Sequence, residues 1–218
     1  MTSPGDAIAA LAESRLVATI PADGEPDKTL VVAEILVQEG FEVLAVAPGR
    51  LDLLPRLREA LGGRALLGAY GLTTPGHVLD AVTSEAAFAL TSIGSETLVG
   101  LATSRELPVF AGAFTPTEIA TAWSWGPTGV YVHPADTVGV TYAPHAVAAA
   151  PDAPMLVSGG SPYAVGQWLA AGTLAVVTDS SLVLDTLTGG DLGYLRERAR
   201  NYVTEARSAA SWVPRLAP

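Results

Sequence analysis

The feature that most constrains this chain is an alternation kept up along nearly its whole length, in which short β-branched runs are each followed by a longer amphipathic run or a loop. Leu16–Ile20 reads as a strand, followed by a helix over Asp27–Glu39 with Asp27 placed to cap it. Glu42–Ala47 and Leu51–Leu61 repeat the pair. Ala65–Tyr70 leads to a helix over Thr74–Val82 with Pro75 in its first turn, and Phe88–Thr91 leads to Ser95–Ser104. In the second half, Val109–Ala113 precedes a helix over Thr115–Trp125 that opens on Thr-Pro-Thr-Glu, a capping-box arrangement. Gly129–Val132 is a strand followed by a long loop. Met155–Ser158 with Tyr163–Ala171, and Leu174–Thr178 with Asp191–Ala209, close the series.

Strands alternating with helices imply parallel pairing, and eight such units in roughly 200 residues fit a closed (β/α)8 TIM barrel of the α/β class at its small end. The alternative is a doubly wound open sheet, which usually carries a Gly-rich turn after its first strand. Here that turn is Pro21-Ala22-Asp23-Gly24-Glu25-Pro26. No linker, low-complexity segment or strong internal repeat divides the chain, so residues 1–218 are expected to form one domain. A Pro-containing tail from about 210 (SWVPRLAP) is expected to pack on the barrel or on a neighbouring subunit.

Apolar residues make up 49% of the chain, enough for a large core, and charged ones only 16%. The formal net charge of −10 disfavours nucleic acid and anionic membrane surfaces as partners, because both require basic patches. With no cysteine, disulfides and thiolate metal sites are excluded. The first residues lack the basic run and apolar core of a signal peptide, and no apolar stretch reaches membrane-spanning length. The expected location is cytoplasmic.

The most informative segment reads PVFAGAFTPTEIATAWSWGPTGVYVHPADT. Its run Gly112-Ala113-Phe114-Thr115-Pro116-Thr117-Glu118-Ile119, followed by the pair Pro134-Ala135, resembles the 2-keto-3-deoxy-6-phosphogluconate aldolase family. The resemblance extends weakly from about Ala7 to Ala209, through Leu67-Gly68-Ala69, the turn Ser158-Gly159-Gly160 and the closing Arg-rich helix. It implies a barrel fold, a small-molecule substrate and a homotrimer. It also implies a Schiff-base lysine on the sixth strand, where this chain has Tyr131, followed two residues later by His133 in place of an aromatic. The family's glutamate on the second strand matches Ala45, with Glu42 out of phase and on the opposite face. Its arginine after the first strand matches Pro21, and its threonine after the third matches Gly71.

The chemistry agrees with these departures. An imine-forming amine must have its pKa lowered by burial or a neighbouring cation. The only lysine, Lys28, opens a helix in Pro26-Asp27-Lys28, where solvent and a carboxylate keep it charged. Phosphate in barrels commonly sits between the loops after strands seven and eight. Ser158-Gly159-Gly160-Ser161 could form half of such a site, but the other half reads Thr178-Asp179-Ser180-Ser181. A carboxylate there repels a phosphate dianion by roughly several kcal/mol at an effective dielectric near 20. Asp179 is thus either a substrate contact or the N-cap of a short helix over Ser180–Leu184.

The residues expected to carry chemistry are Tyr131, His133 and Asp136. Period-two alternation turns Tyr131 and His133 together into the barrel near its C-terminal mouth, about 7 Å apart along the strand, with Val130 and Val132 facing the helices. A phenol and an imidazole can donate and accept a proton near neutral pH. Ser158, Gly159, Gly160, Asp179, Gly71 and Thr115 are expected to contact substrate. No cofactor or metal is expected, since His77, His133 and His145 lack metal-ligand spacing, although His133, Asp136 and Asp179 could meet across the mouth. His145 is placed in a loop, and Trp123 and Trp125 in packing or subunit contact. Ser92 and Ser95 lack the strained elbow of a nucleophilic serine. Arg196, Arg198 and Arg200 are expected to be solvated on different faces of the last helix. The expected activity is a lysine-independent lyase, isomerase or cyclase acting on a small non-phosphorylated substrate; the competing expectation is a catalytically inactive homologue with a structural or regulatory role.

Overall fold

The computed structural model describes residues 2–209; the tail from 210 lies outside the described residues. Eight parallel strands close in sequence order into a barrel: β1 (Leu16–Ile20), β2 (Val43–Val46), β3 (Leu66–Leu72), β4 (Ala89–Thr91), β5 (Val109–Ala113), β6 (Gly129–Val132), β7 (Met155–Gly159) and β8 (Ala175–Thr178). Closure is made by β1 against β8, with Leu16 opposite Val176 and Val17 opposite Val177. This is the expected (β/α)8 architecture.

Alternation sorts the strand residues into two cores. One set, including Ala18, Leu44, Val46, Ala111, Val130, Val132 and Val157, faces the surrounding helices. The other, Val17, Val43, Ala45, Phe88, Leu90, Phe110, Tyr131, Leu156 and Val177, fills the barrel. Strand β3 can carry Gly68 inward only because Phe88 takes the space. A Cβ on Gly68 would lie 2.4 Å from the Phe88 ring.

The helix α1 (Pro4–Ser14) precedes the alternation and was not foreseen from it. Ser3 and Asp6 form a capping box around Pro4, and the helix stops at Arg15, whose φ of 58° is left-handed. Its buried Ala7 and Leu11 join the interior core, so α1 stops one end of the barrel.

The remaining helices are α2 (Pro26–Gln38), α3 (Leu54–Leu61), α4 (Pro75–Thr83), α5 (Glu96–Ser104), α6 (Pro116–Ser124), α7 (Ala143–Ala149), α8 (Pro162–Ala170), α9 (Leu184–Leu187) and α10 (Leu192–Ser208). Several start one residue from the expected place because proline occupies the first helical position. Asp27 is therefore in the first turn of α2 and not its cap. The stretch expected as one helix from Leu51 divides into a 3-10 turn, Pro48–Leu53, and α3. The long loop after β6 contains α7, so His145 is helical and not in a loop, as the alanine-rich run behind Pro144 favours. The arginines of α10 also depart from expectation. Arg196 and Arg200 stand four residues apart, share a face and both grip Glu39 at 2.6 Å, while Arg198 pairs with Asp185 at 2.6 Å. Both arginines, Arg200 first, hold the Glu39 carboxyl below its usual range. Among the described residues no helix is long and apolar enough to cross a membrane.

Candidate functional site

Strand β6 lays Tyr131 opposite Gly112 of β5 and Leu156 of β7. Gly112 is required there, because a Cβ would meet the Thr91 carbonyl oxygen at 2.4 Å, so β4 and β5 close tightly at the mouth. Tyr131 is only 4% exposed. His133, the next inward residue and half-buried, reaches the mouth. The two rings stack at 19° with centroids 5.2 Å apart, and Tyr131 Oη lies 3.4 Å from His133 Nδ1. Burial raises the Tyr131 phenol far above its ordinary value, with the charges of Tyr70 and Asp136 adding to it. Burial lowers His133 from the ordinary 6.5, against an opposing pull from Asp136. A neutral imidazole thus stands over a phenol that keeps its proton. The contact ties Nδ1 to the phenol oxygen and leaves Nε2 as the ring nitrogen available to a substrate.

Around this pair the mouth is stapled by hydrogen bonds. Ser158, at the end of β7, accepts from the Ala135 amide at 2.7 Å and donates to Asp136 at 3.4 Å. Gly160 lies between two carboxylates: a Cβ on it would stand 3.6 Å from the Asp136 Cβ and 3.8 Å from Asp179 Oδ2. The Gly160 carbonyl accepts from the Tyr202 hydroxyl at 2.7 Å. Asp179 caps the 3-10 turn Ser180–Leu182, accepting from the Ser181 amide at 2.8 Å and from its hydroxyl. The helix expected over Ser180–Leu184 is thus a 3-10 turn followed by α9. Gly159 packs inside β7, and Gly71 adopts a φ of 79° beside Pro48.

Other expected residues are accounted for differently. Thr115 caps α6, its hydroxyl accepting from the Glu118 amide at 3.3 Å. Ser95 caps α5. Lys28 is exposed on α2, 3.7 Å from Glu25, and Ala45 is buried in the barrel. Among the described residues no group of three or more His, Asp or Glu stands close enough to hold a metal ion, so His133, Asp136 and Asp179 do not form one.

Two features escaped the sequence reading. Tyr70 ends the inward series Leu66, Gly68, Tyr70 and brings a second phenol to the interior, raised to about 12 by burial. The inward phase of β3 was its only signal. The second is a cleft of about 370 Å³ opening beside His133, walled by Ile93, Phe114 and Trp125 with Thr117 and Thr121 at its edge. A larger cleft of about 760 Å³ lies between the opposite ends of β3, β4 and β5, next to Arg58, Glu85 and Arg105. It is remote from the C-terminal mouth, where barrels place their chemistry.

A family model described as KDPG and KHG aldolase matches residues 7–195. None of the curated proteins compared with the chain matches it. Among solved structures, one described as a 4-hydroxy-2-oxoglutarate aldolase/2-deydro-3-deoxyphosphogluconate aldolase is 28% identical, with a TM-score of 0.77 over 94% of this chain and 100% of that one. The 2-keto-3-deoxy-6-phosphogluconate aldolase of Zymomonas mobilis is 17% identical, with a TM-score of 0.79 over 94% and 98% of the two chains. The KDPG aldolase of Legionella pneumophila, captured with pyruvate as a covalent carbinolamine, is 20% identical, with a TM-score of 0.73 over 96% and 99%.

Proposed function

The chain belongs to the KDPG and KHG aldolase family, and from that premise we propose that it handles a small, non-phosphorylated molecule by proton transfer at the barrel mouth, without an imine. Lyase, isomerase and cyclase reactions all fit this description. The observation that carries it is His133, an uncharged and half-exposed imidazole held by a buried phenol, on the strand where the resemblance places an imine-forming lysine. We take Nδ1 to carry the ring hydrogen and to donate it to the Tyr131 oxygen, so that Nε2 can accept a proton from the substrate and, as imidazolium, return it to a carbonyl or hydroxyl oxygen. Tyr131 is too buried to touch substrate and acts by positioning His133. Asp136, beside the pair, favours the imidazolium that forms if His133 takes up a proton. The family membership also supports a homotrimer.

A second reading, a catalytically inactive homologue with a structural or regulatory role, is favoured by one observation. Where the resemblance places a glutamate, Ala45 packs among Val43, Leu90 and Val177 in an apolar interior. Loss of His133 chemistry without effect on any reaction would select it.

The proposal includes the charge of the ligand. Asp136 and Asp179 flank Gly160, and neither has an ion-pair partner among the described residues. Millimolar phosphate or 6-phosphogluconate is therefore expected to leave the melting midpoint unchanged in thermal unfolding. Asp179→Gly, which removes the charge at a cap site where glycine costs only about a few tenths of a kcal/mol, is expected to gain some protection. Clear stabilisation of the unaltered protein by either compound would contradict the non-phosphorylated substrate.

A further inference from the structure

We propose that the cleft beside His133 is a binding subsite for an aromatic or heteroaromatic group of the substrate that bears no anionic substituent. The inference rests on the reading of the barrel mouth given above and adds to it the character of the end of the substrate that does not react.

The cleft is continuous with the mouth because His133 forms part of both. Its volume of about 370 Å³ falls within the range of small-molecule sites. One part of the wall is apolar: the Phe114 ring, the half-buried Trp125 indole and Ile93, an isoleucine that stays 45% exposed. A large aliphatic side chain left half in water, facing two aromatic rings, is a surface whose covering is favourable.

The wall is also preformed. The Phe114 amide donates to Glu118 Oε2 at 2.9 Å, and its carbonyl accepts from the Tyr142 hydroxyl at 2.5 Å. The Phe114 and Tyr142 rings lie 5.9 Å apart. Both backbone groups of the residue are thus fixed before any ligand arrives, which reduces the entropy lost on binding.

Charge selects among ring-bearing ligands. Among the described residues no lysine or arginine lines the cleft, and the ionisable groups that do are His133 and Glu118. Burial holds His133 toward the neutral form. Glu118 Oε2 is taken up by the amides of Thr115 and Phe114, which hold that carboxyl below its usual range. A carboxylate or phosphate on the ring would find no cation among the described residues and would face the ionised Glu118. The hydroxyls of Ser92, Thr117 and Thr121 suit a ring with a single N–H or O–H at its edge.

The test is ligand-observed NMR with indole, benzyl alcohol, benzoate and phenyl phosphate. Indole and benzyl alcohol are expected to bind, and the two anionic probes to bind at least about tenfold more weakly. Thr121→Trp, which lays an indole across the opening from an exposed helical position, and Ile93→Asp, which places a carboxylate on the wall, are each expected to weaken the neutral probes by about tenfold or more. Failure of the neutral probes to bind, binding that survives both cleft variants, or tighter binding of an anionic probe would each overturn the subsite while leaving His133 as the proton carrier. A parent that is oligomeric by light scattering, beside Thr121→Trp and Ile93→Asp proteins that are folded monomers, would overturn it in favour of a contact between copies.

Discussion

Truncating Phe88 to alanine is expected to cost about 3–5 kcal/mol of stability, which for a chain of this size lowers the melting midpoint by roughly 10 °C. Phe88 is fully buried among Leu11, Phe110 and Tyr131 inside the barrel, where it occupies the space over Gly68. Removing the ring leaves a void that the surrounding strands cannot close, because each is paired on both sides. Gly68→Val on the intact ring is expected to destabilise as well, by forcing side chain against side chain. Combined, the two changes should cost less than their sum, since the added valine enters the space that the ring vacates. Denaturant unfolding of the four proteins measures the coupling. A loss below about 1 kcal/mol for Phe88→Ala, well under the usual range for a buried aromatic, would mean that the interior is not packed as a plug between α1 and the mouth.

The second large effect is at His133. Replacing it with glutamine nearly keeps volume and hydrogen bonding but removes the ionisable nitrogen. Turnover of the substrate is expected to fall about 10²- to 10⁴-fold, the usual contribution of a general acid or base. Tyr131→Phe leaves the imidazole in place without its phenol, so the tautomer is no longer fixed; the fall should be smaller and the pH profile should move. His133 also links stability to pH without reference to any substrate. Its folded pKa lies below the unfolded value near 6.5. Between those two values the unfolded chain binds the proton and the folded chain does not. This contribution is therefore full above about pH 6.5 and is lost as pH falls toward the folded pKa. In His133→Gln the decline across that window should flatten relative to the parent. An unchanged slope, or a histidine NMR titration at or above 6.5, would contradict the neutral imidazole.

How much of this was legible in the sequence depends on the range over which each feature is decided. The strands and the inward phase of β6 were readable because alternation is local: Tyr131 faces the interior core while Val130 and Val132 face the helices, as the period requires. The capping box of α6 was readable for the same reason, since Thr115 and Glu118 lie three residues apart. Helix α1 was passed over because its apolar positions, Ala7 and Leu11, give a short stripe whose purpose appears only once a barrel end exists to receive it. The ion pairs of Arg196 and Arg200 with Glu39, 157 and 161 residues distant, could not be read from α10 alone. Tyr70 and the cleft beside His133 depend on the closure of β3 through β6 and the lie of α6, and no single run of residues announces either. The expected roles of Thr115 and Asp179 were ambiguous for a physical reason: each side chain is well suited to cap a helix or 3-10 turn, and the structure gives both that task.

Proton transfer by His133 requires that no imine form at this mouth. In the Legionella pneumophila relative, pyruvate is held as a covalent carbinolamine. Here Lys28, the only lysine, is exposed on α2 beside Glu25. The direct measurement is intact mass after incubation with pyruvate and borohydride, followed by peptide mapping. The mass is expected to stay unchanged; a stable pyruvate adduct mapped to Lys28 would contradict imine-free chemistry.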